Sequence, residues 1–215
     1  MRGKQASKIQ KQLVEYYDLL ADDYNSRWVN FVDNQYKVIK PFAEKVNSSF
    51  GKGARIADLG CGVGLNSFIL TEHFKYDFNV SCIDVSKEMI KYAQENSPKA
   101  KFYNVCFLEW EPEEKFHGLV AGSFLNQFDS SIAPYAVEKM SDILEKGGYG
   151  LVYSSNTADY DDDKKIKEKK DQTKPYTQMI DRLNMTNLLS QFFKIEEYYK
   201  GYGKRGWTIT IVRKE

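Results

Sequence analysis

Apolar side chains recur at three- and four-residue steps over residues 5–31, through Ile9, Leu13, Tyr16, Tyr17, Leu20 and Tyr24, the period of one buried helix face. A second amphipathic stretch covers residues 34–46. The period then shortens to two. Residues 55–59, 78–83, 101–107, 119–124 and 149–154 read as short strands, with helical patterns filling the intervals. Ser86 is placed to cap a helix over residues 87–96, and Pro134 opens one that Gly147 and Gly148 close. Strands alternating with helices need crossover connections, so the sheet is expected to be mainly parallel between helix layers. Residues 192–199 and 207–213 have no helix between them. Joined across a turn region with Gly201, Gly203 and Gly206, they are expected to add an antiparallel pair that finishes the sheet.

Composition narrows this picture. A chain of 215 residues suits one domain, and at that length roughly 70% of the unfolded surface can be buried without disulfides or a structural metal. With 31 basic and 30 acidic side chains the formal charge is +1, so the summed field gives no reason to expect a nucleic acid or an anionic membrane. Cys61, Cys82 and Cys106 form no CxxC pair and are odd in number, which fits a reduced, cytoplasmic setting. No apolar run approaches the ~20 residues of a membrane span, and the first twelve residues lack the apolar stretch of a signal peptide. The chain is read as soluble and unprocessed. Residues 159–175 are compositionally biased, with Asp161, Asp162 and Asp163 followed by lysines. They suit a solvated helix or loop, or a lid, since they leave the fifth strand at its carboxyl end. No metal is expected, the acidic triplet being the feature that could argue otherwise.

The strongest chemical signal is Ala57-Asp58-Leu59-Gly60-Cys61-Gly62-Val63-Gly64, between the first strand and a helix expected over residues 65–74. Glycines let backbone turn sharply and approach a ligand where any Cβ would clash. The spacing is G-x-G-x-G; a dinucleotide fingerprint would place its third glycine where Leu65 stands, and no triphosphate loop occurs. About twenty residues on, the second strand ends at Asp84, where an acid can reach both hydroxyls of a ribose. The ligand is expected to be a nucleoside.

With these residues in order, nearly the whole chain resembles the class I S-adenosylmethionine-dependent methyltransferases, in their small single-domain, type 11/12-like form with an N-terminal helical cap. The resemblance rests on Asp58 to Gly64, on Ile83-Asp84-Val85-Ser86 followed by Met89 and Ala93, and on Glu145-Lys146-Gly147-Gly148. The N-terminal Tyr17-Asp18-Leu19-Leu20-Ala21-Asp22-Asp23-Tyr24-Asn25 is similar to the family's cap. It implies an α/β, Rossmann-like methyltransferase fold: a seven-stranded, mostly parallel sheet with an antiparallel C-terminal strand, helices on both faces and the cap. The single domain would divide into a cap (1–50), a cofactor-binding core (51–156), a charged lid or insert (157–185) and a C-terminal β-hairpin region (186–215).

The same resemblance implies S-adenosyl-L-methionine as cofactor and assigns roles by position. Gly60, Cys61 and Gly62 would line its methionine moiety, Asp58 would help hold the ammonium, and Asp84 would take the ribose diol. Val85 and Met89 would flank adenine, with Cys106 and Phe107 completing that pocket. Ala121, Gly122, Ser123 and Phe124 would floor the sulfonium, and Tyr17 and Tyr24 would close the site from the cap. Family members commonly carry an acid where Cys106 stands, so adenine recognition here would lean on backbone and Phe107. Members also often carry an acid where His117 stands, at the far edge of the sheet, with no functional consequence expected. Cys61 and Cys106 would both be shielded from a thiol reagent by bound cofactor.

Methyl transfer from a sulfonium is an in-line displacement that mainly requires alignment, and a base only when the acceptor must lose a proton. His73 and His117 are carried away from the site by the elements that hold them and are read as structural. No catalytic residue is assigned. Phe124, Gln127, Asn156 and Tyr160 are candidates for contact with the acceptor, with Asn126, Asp129 and Ser155 on the same overhanging segments. The tyrosines near positions 160, 176 and 202, with Trp28, suit packing or a pocket for a flat or cationic amine. The expected partner is a small-molecule methyl acceptor. A nucleic-acid methyltransferase would draw on basic clusters at 164–174 and 200–205, but Gly122-Ser123-Phe124-Leu125-Asn126 stands where enzymes acting on base amines carry Asn-Pro-Pro-Tyr or Asp-Pro-Pro-Tyr. A non-catalytic S-adenosylmethionine sensor is a third reading. A nicotinamide oxidoreductase is a fourth, disfavoured by Leu65.

Overall fold

The computed structural model describes residues 2–155, 182–200 and 207–215. Five strands run parallel: β1 (Arg55–Leu59), β2 (Asn79–Asp84), β3 (Lys101–Asn104), β4 (Phe116–Gly122) and β5 (Leu144–Ser155). The last two are β6 (Lys194–Lys200) and β7 (Trp207–Arg213), and β7 lies antiparallel to both β5 and β6. The sheet order is β3-β2-β1-β4-β5-β7-β6. From β1 the chain first builds outward through β2 and β3, then returns to place β4 on the other side. The two directions part at the carboxyl ends of β1 and β4, which is where open parallel sheets offer a crevice to ligands.

Alternation of side chains along the strands feeds two cores. Ile56, Val80, Val120 and Leu151 face one layer, where α2 (Val32–Phe50) buries Ile39, Phe42, Ala43 and Val46, a stripe at i, i+3, i+4 and i+7. On the same side lie α3 (Leu65–Phe68), which widens into a π-turn over Ile69–His73, and α4 (Lys87–Asn96). Ala57, Leu119, Ala121 and Val152 face the opposite layer, filled by Ala136, Val137 and Met140 of α5 (Ala133–Asp142) and by Met185 and Leu189 of α6 (Arg182–Leu189). Helix α1 (Arg2–Arg27) joins neither core; Tyr16, Leu20 and Ala21 pack on Val63 and Met89 instead.

Several boundaries differ from the sequence expectation. The first helix stops at Arg27 and a 3-10 turn (Trp28–Phe31) separates it from α2, so only α1 of the 1–50 segment covers the site while α2 serves the sheet. The third strand ends at Asn104, because the chain turns into a 3-10 segment at Phe107–Glu109. The fourth runs from Phe116 to Gly122, three residues earlier in its start than its apolar run indicated. Gly147 and Gly148 do not close a helix: α5 ends at Asp142, and both glycines lie inside β5, where the ladder to β4 jumps from Leu144 to Tyr149. A Cβ on Gly148 would stand 2.9 Å from the Glu145 carbonyl, so this kink admits only glycine there. The region from 186 opens with the end of α6 rather than a strand, an element that the polar run Arg182-Leu183-Asn184 disguised. No described helix is long and apolar enough to cross a membrane.

Candidate functional site

After β1 the backbone enters the left-handed region at every second residue: Gly60 (φ 65°), Gly62 (φ 54°) and Gly64 (φ 90°). Glycine is needed there for two distinct reasons. A Cβ on Gly64 would lie 3.1 Å from the Ala93 Cα, so its absence lets α4 approach the loop. A Cβ on Gly62 would meet nothing within 4 Å; it would project into a cleft that Gly62 lines. Bare backbone therefore faces open space. The loop is pinned to the end of β2, with the Gly60 and Cys61 amides donating to the Ile83 carbonyl at 2.8 and 3.1 Å. The Gly62 amide donates to Asp84 Oδ2 and the Ser86 amide to Asp84 Oδ1, each at 2.9 Å. A carboxylate accepts about four hydrogen bonds, so roughly half the capacity of Asp84 remains available toward the cleft it lines.

The cleft encloses about 1010 Å³, counting the space at its open mouth. Gly60, Gly62 and Asp84 form one end, and Val85, Met89, Cys106 and Phe107 continue from it. Gly122, Ser123, Phe124 and Gln127 enter from the exit of β4. Ser123 holds φ 50°, a strained value for a residue with a Cβ, and its amide donates to the Tyr153 carbonyl at 2.8 Å. Leu13, Tyr17 and Tyr24 reach in from α1. That helix is clasped to α4 along one face. The Ser86 hydroxyl and Glu88 amide donate to Asp18, the Tyr92 hydroxyl donates to Asp22 at 2.6 Å, and the Asn96 amide donates to Asn25 at 2.9 Å.

Residues 56–148, which contain the glycine loop, the β2 acid and the kink of β5, match the family model described as a methyltransferase domain. That segment is similar to methyltransferase domains. Among curated relatives, the chain is 36% identical over 58 residues to trans-aconitate 2-methyltransferase of Rhodopseudomonas palustris (strain HaA2), covering 27% of this chain and 22% of that protein. It is 39% identical over 72 residues to phosphoethanolamine N-methyltransferase 1 of Zea mays, covering 34% of this chain and 13% of that one. The matches thus span less than a quarter of either relative. The magnesium protoporphyrin IX methyltransferase of Synechocystis PCC 6803, solved with bound SAH, shares the fold with a TM-score of 0.74 at 14% identity, over 96% of this chain and all of that one.

Within residues 56–148 and the cap, the cleft gathers Tyr17, Tyr24, Gly60, Gly62, Asp84, Val85, Met89, Cys106, Phe107, Gly122, Ser123, Phe124 and Gln127. Three of the expected residues do not line it. Ala121 faces the core under α5, because strand alternation turns it away from the site. Cys61 is buried beside Cys82, whose hydrogen bond together with burial holds the Cys61 thiol far above its ordinary range. Asp58 is sealed beneath the loop. Asn156 and Tyr160 lie outside the described residues, as do the 159–175 segment with its acidic triplet, Tyr176 and Tyr202. Among the described residues no three potential metal ligands cluster. The lining also holds Leu13, Val105, Leu108, Phe128 and Ile132, which sequence reasoning passed over. Leu13 could have been found from its i, i+4 relation to Tyr17; Val105 and Leu108 depend on a turn with no sequence signature.

The other candidates serve structure. His117 Nδ1 accepts the Arg55 amide at 2.9 Å, and His73 packs its ring on Phe68 and Tyr36. Asp129 Oδ1 accepts the amides of Ser131 and Ile132 and so organises the entry to α5.

The buried Asp58 is electrostatically unusual. Asn66 Nδ2 donates to its Oδ1 at 3.1 Å and the Ser67 hydroxyl to its Oδ2 at 2.7 Å. Burial nevertheless pushes its pKa up to about 6, with Asp84 adding to the rise and the Ser67 and Asn66 bonds opposing it. Burial raises Asp84 as well, against the amides of Ser86 and Gly62. A carboxyl whose folded pKa exceeds its unfolded value binds its proton more tightly when folded. Its ionisation therefore destabilises the fold, fully so above about pH 6, and this is relieved as pH falls toward 4. The penalty at neutral pH is of order 3 kcal/mol. Asp58→Asn, whose oxygen can still accept Asn66 Nδ2 and whose amide nitrogen can donate to a rotated Ser67 hydroxyl, is expected to raise unfolding stability at pH 7.5 and to reduce its change between pH 6 and 4. Urea titrations at the two extremes measure both effects, and a variant less stable at pH 7.5 with an unchanged pH slope would contradict this account.

Proposed function

We propose that the chain is an S-adenosylmethionine-dependent methyltransferase acting on a small-molecule acceptor. The observation that carries the reading is the pairing of bare loop backbone at Gly60 and Gly62 with the half-committed carboxylate of Asp84 at one end of a single cleft. That arrangement suits the amino-acid and ribose portions of one adenosyl compound, and the apolar side chains of Val85, Met89 and Phe107 suit its base. Cys106 borders the same stretch and offers only a weak acceptor, so base recognition rests on packing and backbone. Asp58 acts through the loop rather than by contact: its charge, with that of Asp84, favours a cation in a cleft whose described lining holds no lysine, arginine or histidine.

When bound, S-adenosylmethionine supplies a methyl group on a positively charged sulfur. The chain's own work is alignment and exclusion of water, which can contribute roughly 7 to 11 kcal/mol in well-oriented cases. Tyr17 is held protonated, because burial lifts its pKa well above the ordinary value. It does not serve as a base near neutrality, which suits an acceptor that carries a free lone pair. A cleft roofed by Leu13, Tyr17 and Tyr24 of α1 suits a small ligand rather than a polymer, which needs a groove open along its length. Three curated relatives are named for trans-aconitate, phosphoethanolamine and a thiol, all small-molecule acceptors.

Calorimetry with S-adenosylmethionine and S-adenosylhomocysteine tests the reading, followed by detection of the demethylated product during incubation with a metabolite mixture. Saturable uptake of both ligands is expected. Cys106 should react more slowly with a thiol reagent when either is present, while the buried Cys61 and Cys82 stay unreactive throughout. Absence of uptake would overturn the reading; uptake without turnover would leave a sensor.

A further inference from the structure

Four features converge on the cleft wall at the exit of β4. Gln127 donates Nε2 to the Ser123 carbonyl over a long 3.3 Å, while its Oε1 is buried and has no hydrogen-bond partner among the described residues. Buried acceptors are almost always satisfied, so a Gln127 side chain that lines the cleft and leaves Oε1 without a partner has a free valence that a small rotation turns toward a donor arriving with a ligand. Aromatic rings surround it. Phe124 stands edge-on to Phe128 at 5.1 Å and to Phe107 at 5.4 Å, and Tyr17 edge-on to Tyr24 at 6.4 Å. The Tyr17 hydroxyl meets the Gln127 side-chain amide. Finally, the described lining offers an anionic acceptor no basic side chain, and Asp84 makes the cleft electronegative.

We propose that the methyl acceptor is a primary or secondary amine, its N–H received by Gln127 Oε1 and its carbon frame laid against the rings of Tyr17, Phe124 and Phe128. The proposal rests on the methyltransferase reading above. An amine keeps an N–H throughout the transfer and gains positive charge as the bond forms, so a carbonyl oxygen facing it stabilises the transition state more than the ground state. Thiols, alcohols and carboxylates attack as anions without a donor, and Gln127 Oε1 would repel them. The amine first releases a proton to water. Its nitrogen lone pair then forms the N–C bond while the C–S bond of the donor breaks, with the bonding pair remaining on sulfur. The methylated ammonium sheds its proton to solvent.

The test compares 2-phenylethylamine, N-methyl-2-phenylethylamine, 3-phenylpropanoate and 2-phenylethanethiol, which share one frame, using methyl-labelled S-adenosylmethionine and the full chain. Label is expected in the amines with kcat/KM at least about tenfold above the other two, rising with pH toward the amine's own pKa. Gln127→Leu should lower kcat/KM for the amines by about 30-fold. The same change should weaken 2-phenylethylamine binding to the S-adenosylhomocysteine-loaded protein, yet leave the affinity for S-adenosylmethionine within about threefold. Gln127→Glu, which keeps an acceptor oxygen, should restore most of the rate. Transfer to the thiol or the carboxylate in preference, no transfer to either amine while S-adenosylmethionine binds, or full amine activity in Gln127→Leu would each overturn the amine assignment while leaving the methyltransferase reading standing. Failure to bind S-adenosylmethionine at all would overturn both.

Discussion

Asp84→Ala is expected to weaken S-adenosylmethionine uptake by about 100-fold or more while the protein stays folded. The carboxylate has two duties. It accepts the Gly62 and Ser86 amides, which hold the glycine loop at the carboxyl end of β2, and under the proposed function it also receives the ribose hydroxyls. Hydrogen bonds to a charged group contribute roughly 1.5 to 3 kcal/mol each, so losing two to the ligand amounts to about 3 kcal/mol or more. That corresponds to the stated loss in affinity. The fold is spared because Asp84 is itself desolvated, and relief of its buried charge offsets the loss of its bonds to two amides. Asp84→Asn keeps one acceptor oxygen and should lose only about tenfold. Calorimetry with a parallel thermal melt separates the effects; unchanged uptake by a folded Asp84→Ala protein would remove the ribose assignment.

Gly122→Ala is expected to be the most damaging single methyl in the molecule. Gly122 sits opposite Tyr153 in the β4–β5 ladder, and an added Cβ would stand 2.1 Å from the tyrosine oxygen and 2.3 Å from its Cζ. The ring cannot swing aside freely. Its hydroxyl accepts Gln35 Nε2 at 2.8 Å and donates to Asn66 Oδ1 at 2.9 Å, and Asn66 in turn donates to Asp58. Overpacking of this kind costs about 1 to 3 kcal/mol, and breaking the buried network adds a similar amount. Against a total stability of about 5 to 15 kcal/mol, the expected drop in melting temperature is of order 10 °C, or loss of soluble protein. Gly122→Ala combined with Tyr153→Val should recover part of that loss in a thermal melt, since the smaller side chain clears the collision. A Gly122→Ala protein that melts like the parent would show that the ring has room to move.

The elements that were legible in the sequence share a cause. Strand β1 reads Arg-Ile-Ala-Asp-Leu, and as a central strand covered on both faces it must be apolar almost throughout, so its bounds were recovered to the residue. The cap of α4 was equally plain, because Ser86 is followed three residues on by the Met89 amide it accepts. Boundaries failed where tertiary contact overrode local preference. Glu145-Lys146-Gly147-Gly148 has the look of a helix end, yet it is a kink inside a strand, held there by pairing on both sides with β4 and β7.

The site divides along the same line. The glycines at 60, 62 and 64 and the acid at 84 announce their chemistry because backbone conformation and charge are properties of residue type and spacing. At Asp58 a motif position says that a carboxylate is present, and not that Ser67 and Asn66 of the next helix bond both its oxygens. The three polar rungs from α1 to α4 join residues 68 to 71 positions apart, and the ring of Tyr153 laid over Gly122 joins residues 31 apart. Periodicity was enough to specify the layers, and the spacing of Gly60, Gly62, Gly64 and Asp84 to specify the loop and the acid that meet in the cleft. The partners of each buried polar atom were not so specified, because hydrogen bonding across such separations depends on how helices seat on the sheet, and seating is set by packed volume that no local pattern encodes.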